Sequence, residues 1–252
     1  MKNSNSNKQV VLEFYKNVIG KKDTVFAERV LTDNYIQHNP MIKTGKSGLI
    51  EAIEMLKQIP TPENPPRPFM RLIAEGDLVA AHMMVEFNGL MKVVLDLFRL
   101  ENGLIAEHWD AIQDVTAMGS HADWMIDGPV QIEDRPQSDH NKSIVENWCQ
   151  QILIDRKHEM ISIFVSADLT WHSPEVIHEI SDIGKALEQI KIEKVHLIMG
   201  EGNFVVTQST GTLNEQPHVF YDIHRLENGK LQEHWSVSQA IPAVMAHENG
   251  MI

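Results

Sequence analysis

Apolar residues recur at helical spacing through Val11, Phe14, Tyr15 and Val18, and Gly20 sits where such a helix ends. A second helix is predicted from Thr24 to Leu31. The run Tyr35-Ile36-Gln37-His38-Asn39-Pro40 reads as a short extended segment, because the proline biases Asn39 away from helix. Ser47 is placed to cap a third helix, with Leu49, Ile50, Ile53, Met55 and Leu56 as its apolar stripe. Pro60, Pro62, Pro65, Pro66 and Pro68 then end it in a rigid loop. Strands follow near Met70–Glu75, Leu78–Phe87 and Leu90–Leu100, with Leu104–Val115 as the partner of the last. Helices followed by a meander predict an α+β domain, helices on one face of a curved antiparallel sheet.

The pattern then starts again. Asp96 to Trp109, DLFRLENGLIAEHW, returns as DIHRLENGKLQEHW from Asp222 to Trp235, with nine of fourteen positions identical. The separation is 126 residues (96 to 222), too long for a solenoid unit, so the chain reads as two copies of one domain. Ile144-Val145-Glu146-Asn147-Trp148 matches Val10–Phe14, and Trp171-His172-Ser173-Pro174 matches Gln37–Pro40, both at 134 residues (10 to 144, 37 to 171). The second copy therefore lacks most of the proline-rich loop. Residues 1–126 are assigned to the first copy, the polar, proline-punctuated 127–139 to a linker, and 140–252 to the second copy.

Asn-Gly in each repeat predicts a hairpin, because both residues tolerate positive φ. Two forms are open. A two-residue turn pairs Asp96 with Trp109 and sends Asp110 to the opposite face. A three-residue turn with a bulge pairs Asp96 with His108 and puts Asp110 on their face.

Charge and composition narrow the function classes. A net charge of −13 argues against nonspecific nucleic-acid binding. One cysteine, Cys149, rules out an internal disulfide. The N-terminus has no apolar stretch that could act as a secretion signal, and no run approaches a membrane span, so a soluble, cytoplasmic protein without membrane partners is expected. The 13 histidines show no HxxxH, HExxH or Cys-pair spacing, and no GxGxxG, P-loop or G-x-S-x-G occurs. Neither a metal nor a cofactor is expected.

On YIQHNP (35–40), the Gly45–Gly48 region, DLFRLENG (96–103) and HWDAIQ (108–113), each half resembles a SnoaL-like domain of the nuclear transport factor two-like superfamily, which includes polyketide cyclases and ketosteroid isomerase. The likeness spans about the whole first half, especially to the branch predicted to catalyse aldol condensation; the second half keeps the frame but diverges. The resemblance implies two cone-shaped domains, each with a pocket between sheet and helices for a small apolar or carbonyl-containing ligand. It also implies an intrachain pseudo-dimer, open to further homodimerisation. Its chemistry would be cofactor-free acid/base work, an aldol-type cyclisation or isomerisation, with a non-catalytic small-molecule binding module as the alternative.

Within that frame Asp110 is the candidate general acid/base, because a carboxylate in an apolar pocket has a raised pKa. The competing reading is a surface Asp at a strand end, and Ser236 stands there in the second copy. Asp96 and His38 complete the candidate catalytic set, His38 to polarise a carbonyl or orient Asp110. Each has a structural alternative, a sheet-surface charge for Asp96 and a backbone-bonded histidine for His38. His82, His108, Trp109, Tyr35, His172 and Asp222 are candidate pocket residues, with Trp109 also readable as core.

Overall fold

A computed structural model describes residues 4–59, 70–87, 89–115, 124–174 and 180–252. The first repeat runs α1 (Ser4–Glu13), continued by a π-helical turn Phe14–Gly20, then α2 (Thr24–Val30), β1 (Leu31–Gln37), α3 (Gly45–Leu56), β2 (Met70–Glu75), β3 (Leu78–Phe87), β4 (Leu90–Glu101) and β5 (Leu104–Asp114). The second repeats it as α4 (Ser138–Trp148), a π-helical turn Cys149–Ile154, α5 (Ile161–Phe164), β6 (Val165–His172), α6 (Ile180–Gln189), β7 (Ile190–Glu201), β8 (Phe204–Leu213), β9 (Gln216–Glu227) and β10 (Lys230–Ala240). No described helix is long and apolar enough to cross a membrane. The predicted proline-rich loop lies outside the described residues except at its borders.

Two five-stranded sheets result, ordered β1-β5-β4-β3-β2 and β6-β10-β9-β8-β7. The meanders are antiparallel, but β1 joins β5 and β6 joins β10 in parallel, making each sheet mixed. The reason is connectivity: β1 emerges from a helix rather than a hairpin, so no tight turn forces it antiparallel. The third helix also starts earlier than its sequence suggested. Thr44, in extended conformation, precedes its first turn and makes no side-chain cap, while Ser47 sits inside. Asp23 does cap α2, accepting from the Phe26 N–H at 2.9 Å.

Both hairpins use the two-residue turn, with φ of 52° and 80° at Asn102-Gly103 and 50° and 74° at Asn228-Gly229. In the second repeat Leu231 faces Leu226, but Glu233 faces Arg225, so one extra residue bulges beyond the turn. That shift pairs Asp222 with Ser236 and His234 with His224. Neither form expected from sequence is complete: a two-residue turn plus a later bulge produces the shared face reserved for the longer turn.

The compact units differ from the linear partition. One comprises Met1–Asp110 together with Pro242–Ile252, and the other comprises Ala111–Ile241. Hydrogen bonds explain both assignments. Ala246 N–H donates to Pro40 O, His247 Nε2 meets Asn39 O, and Asn249 Nδ2 donates to Gln37 O. The segment expected to be a linker is pinned within the second unit. Trp235 Nε1 donates to Asp127 O, Glu133 N–H donates to Asn203 Oδ1, and Arg135 pairs with Glu201. A Cβ on Gly202 would lie 1.9 Å from Glu133 O, so only glycine admits that approach.

In the second unit, Val145, Trp148, Ile152, Phe164, Ile183 and Leu187 pack with sheet residues Val205, Leu226 and Leu231 as its core. In the first, Phe14, Tyr15 and Phe98 meet edge to face, with centroids 5.7–5.8 Å apart.

Candidate active site

Three strands and one helical turn converge on a buried polar cluster in the first unit. Asp96 on β4 and His108 and Asp110 on β5 place one ligand-type atom each within 4.8 Å of the others. Asp96 and Asp110 are 6% and 4% exposed, so charge here is not dissipated by solvent.

Each partner's orientation follows from its neighbours. Gln37, at the end of β1, accepts two backbone N–H bonds on Oε1, from His38 and Asn39, each at 2.9 Å. Its amide is therefore oriented, and its Nε2 donates to Tyr35 Oη at 3.0 Å. The same Oε1 lies 3.0 Å from His108 Nδ1, so that nitrogen must carry the hydrogen. His108 Nε2 faces Asp96 Oδ1 at 3.0 Å, and a proton is held between them. Tyr15, on the π-helical turn, donates to the other oxygen of Asp96. Burial, with Asp96 adding to it, pushes the Tyr15 hydroxyl well above its ordinary range, so it remains a donor. Burial alone would lower the His108 pKa, but the Asp96 hydrogen bond and charge, with Asp110 behind them, raise it instead.

Asp110 is held from one side only. Asn39 Oδ1 accepts from the Met41 N–H at 2.9 Å, which turns its Nδ2 onto Asp110 Oδ2 at 2.6 Å. Among the described residues, Asp110 Oδ1 is buried without a hydrogen-bond partner. Burial pushes the Asp110 carboxyl up to about 6; Asp96 adds to the rise, while His108 and the Asn39 bond oppose it. This carboxyl can take or give a proton near neutrality.

A stability prediction follows from the sign of that shift. The folded value lies above the ordinary 3.8, so folding favours the protonated acid. Its stabilisation is fully present below pH 3.8 and is lost as pH rises through about 6. Asp110→Asn removes the buried charge, so urea unfolding should show it about 1–2 kcal/mol more stable than wild type at pH 8. That gain should vanish near pH 4.

The remaining candidates lie elsewhere. His38 does not orient Asp110; its neighbour Asn39 does, because successive residues of an extended segment point to opposite faces. His38 stacks on Trp109 at 5.0 Å, with Nε2 3.0 Å from Glu107 Oε1 and Nδ1 2.9 Å from Gly250 O. His82 pairs with Leu95 while Ala81 pairs with Asp96, so His82 faces away from the cluster, its Nδ1 accepting from Arg71 at 2.8 Å. Tyr35 is buried beside Gln37. In the second unit His172 stacks on Trp235 at 4.9 Å and meets Trp124 O, while Asp222 lies 3.2 Å from His234 Nε2.

Tyr15, Gln37 and Asn39 were missed as site residues. A signal was present in the repeat. Their partners at the same spacing are Cys149, Trp171 and Ser173, and Ser236 replaces Asp110. Four polar positions change together, as members of one network would.

Asp96, His108 and Asp110 are also the described residues that could hold a metal ion. Both Asp96 oxygens and both His108 nitrogens already have protein partners, which an ion would have to displace.

Residues 9–119 match the family model of the SnoaL-like polyketide cyclase. No curated protein matches the chain. Among solved structures, TsrD from Streptomyces laurentii is similar at 24% identity and TM-score 0.37, over 44% of this chain and 91% of that one. An NTF2-like protein from Burkholderia xenovorans is similar at 13% identity and TM-score 0.36, over 45% of this chain and 93% of that one. An LEH-like epoxide hydrolase from M. tuberculosis gives 16% identity and TM-score 0.34, over 41% and 86%. Residues 9–119 are thus similar to the SnoaL-like model, and the second unit repeats the strand order of the first sheet.

Proposed function

We propose that the first unit is a cofactor-free acid/base catalyst for a small carbonyl-containing or polyketide-like compound, performing an aldol-type cyclisation or isomerisation. The observation that carries this reading is Asp110: buried, raised to about 6, tied at one oxygen and unpartnered at the other. Asn39 leaves Oδ1 as the atom that exchanges a proton. Oδ1 removes the proton α to a substrate carbonyl, and the resulting acid returns a proton to the oxygen or carbon that needs it. Tyr15, Asp96, His108 and Gln37 keep positive character next to Asp110, which favours the enolate that forms. Asp96 acts through His108 and is a positioning residue. The LENG hairpin supplies its register.

The test is a carboxyl-carbon NMR titration of Asp110. A midpoint near 6 is expected. An ordinary exposed-carboxylate midpoint near ~4 would remove the proton carrier, and the binding-module reading would take its place.

A further inference from the structure

The second unit keeps the Asp–His pair but rebuilds its surroundings. His234 Nε2 lies 3.2 Å from Asp222 Oδ1, against 3.0 Å between His108 Nε2 and Asp96 Oδ1. Trp171 stands where Gln37 stood, and its ring lies 3.7 Å from that of His234. An indole ring offers no acceptor to replace the Gln37 oxygen, so among the described residues His234 Nδ1 is buried without a partner. Phe98 is replaced by His224, its ring 4.8 Å from that of His234, and the His224 Nδ1 is also buried and unpartnered among the described residues. Trp148, with its ring 6.5 Å from Trp171, leaves Nε1–H in the same condition. His234, His224 and Trp148 are 4%, 0% and 0% exposed.

Three unsatisfied polar atoms in one buried neighbourhood are costly, and are retained where a ligand answers them. We infer that the second unit holds its own small-molecule site, taking an aromatic or enolic hydroxyl compound that also carries a hydrogen-bond acceptor. When the His234 imidazole donates Nε2–H to the Asp222 carboxylate, its Nδ1 is left as a lone pair. A ligand hydroxyl donates to that lone pair, and a ligand oxygen accepts from Trp148 Nε1–H. Aromatic faces at Trp171 and Trp148 suit a planar ligand. Burial lowers the His224 pKa to about 3, so it is a neutral neighbour that accepts or donates one bond. In the first unit the Asp–His pair is locked by Gln37 and serves Asp110. In the second the imidazole itself meets the ligand. Asp110 has no part in this site.

p-Nitrophenol is a suitable probe, with an acidic hydroxyl, an acceptor and a planar ring. Equilibrium dialysis against full-length Asp110→Asn protein should show saturable binding. His234→Phe should weaken it at least tenfold, and so should Trp171→Gln, which restores an amide beside Nδ1. Unchanged affinity in both variants, with native circular dichroism, overturns the site, as does no saturable binding to the Asp110→Asn protein. Should both variants misfold, imidazole nitrogen NMR of the unaltered chain decides. A His234 Nδ1 resonance that moves with p-nitrophenol supports the site, and one that stays fixed at saturation overturns it.

Discussion

Asp110→Asn loses turnover by about 10²- to 10⁴-fold on any carbonyl substrate the protein processes, with little change in substrate binding. Asparagine fills the same space but cannot carry the proton, so the loss belongs in kcat rather than KM. Steady-state kinetics across pH 5–8 checks it, because the wild-type rate should titrate with an essential group near 6 and the residual variant rate should not. Ser236→Ala should leave that turnover nearly unchanged. Full activity in Asp110→Asn ends the acid/base assignment.

Gln37→Leu destabilises the fold by about 3 kcal/mol or more. Gln37 is fully buried, and its Oε1 receives the N–H groups of His38, Asn39 and His108. Leucine has nearly the same volume, so packing survives while the Asn39 N–H, the His108 Nδ1–H and the Tyr35 hydroxyl lose their partner; the His38 N–H keeps the His108 carbonyl at 2.9 Å. The midpoint of urea unfolding should fall with an unchanged slope. A loss under about 1 kcal/mol would mean that water or backbone movement satisfies those donors. The same substitution frees His108 Nδ1, so the Asp96–His108 pair should titrate differently by NMR.

Much of the fold was legible because its signals are local or repeated. Asn-Gly fixes the turn, alternating residues fix the strand faces, and the returning fourteen-residue stretch fixes the domain count. Register was harder. The bulge between Leu231 and Glu233 has no glycine or proline to announce it, yet it brings Asp222 opposite Ser236. The site was readable only in part, for a related reason. Tyr15 looks like one more apolar stripe member, since helical spacing does not say which tip reaches Asp96. Gln37 and Asn39 sit on either side of a histidine that drew attention through its chemistry. What distinguishes them is which face an extended segment turns inward, and that depends on the parallel pairing of β1 with β5. The path of residues 242–252 was not legible, because the side-chain ties of His247 and Asn249 end largely on backbone carbonyls, which any sequence carries.

That tail also sets an order of events during synthesis. Domains generally fold as units, with the earlier one first as the chain emerges from the ribosome. Here the earlier unit lacks His247, Asn249 and Gly250 until all of the later unit has been translated. Those residues hold the Gln37–Asn39 segment, which in turn orients His108 and Asp110. The nascent chain is therefore expected to hold the strands of the first sheet before the Asp96–His108–Asp110 cluster has all of its supports, and the cluster made from the first-translated residues is the last to be completed.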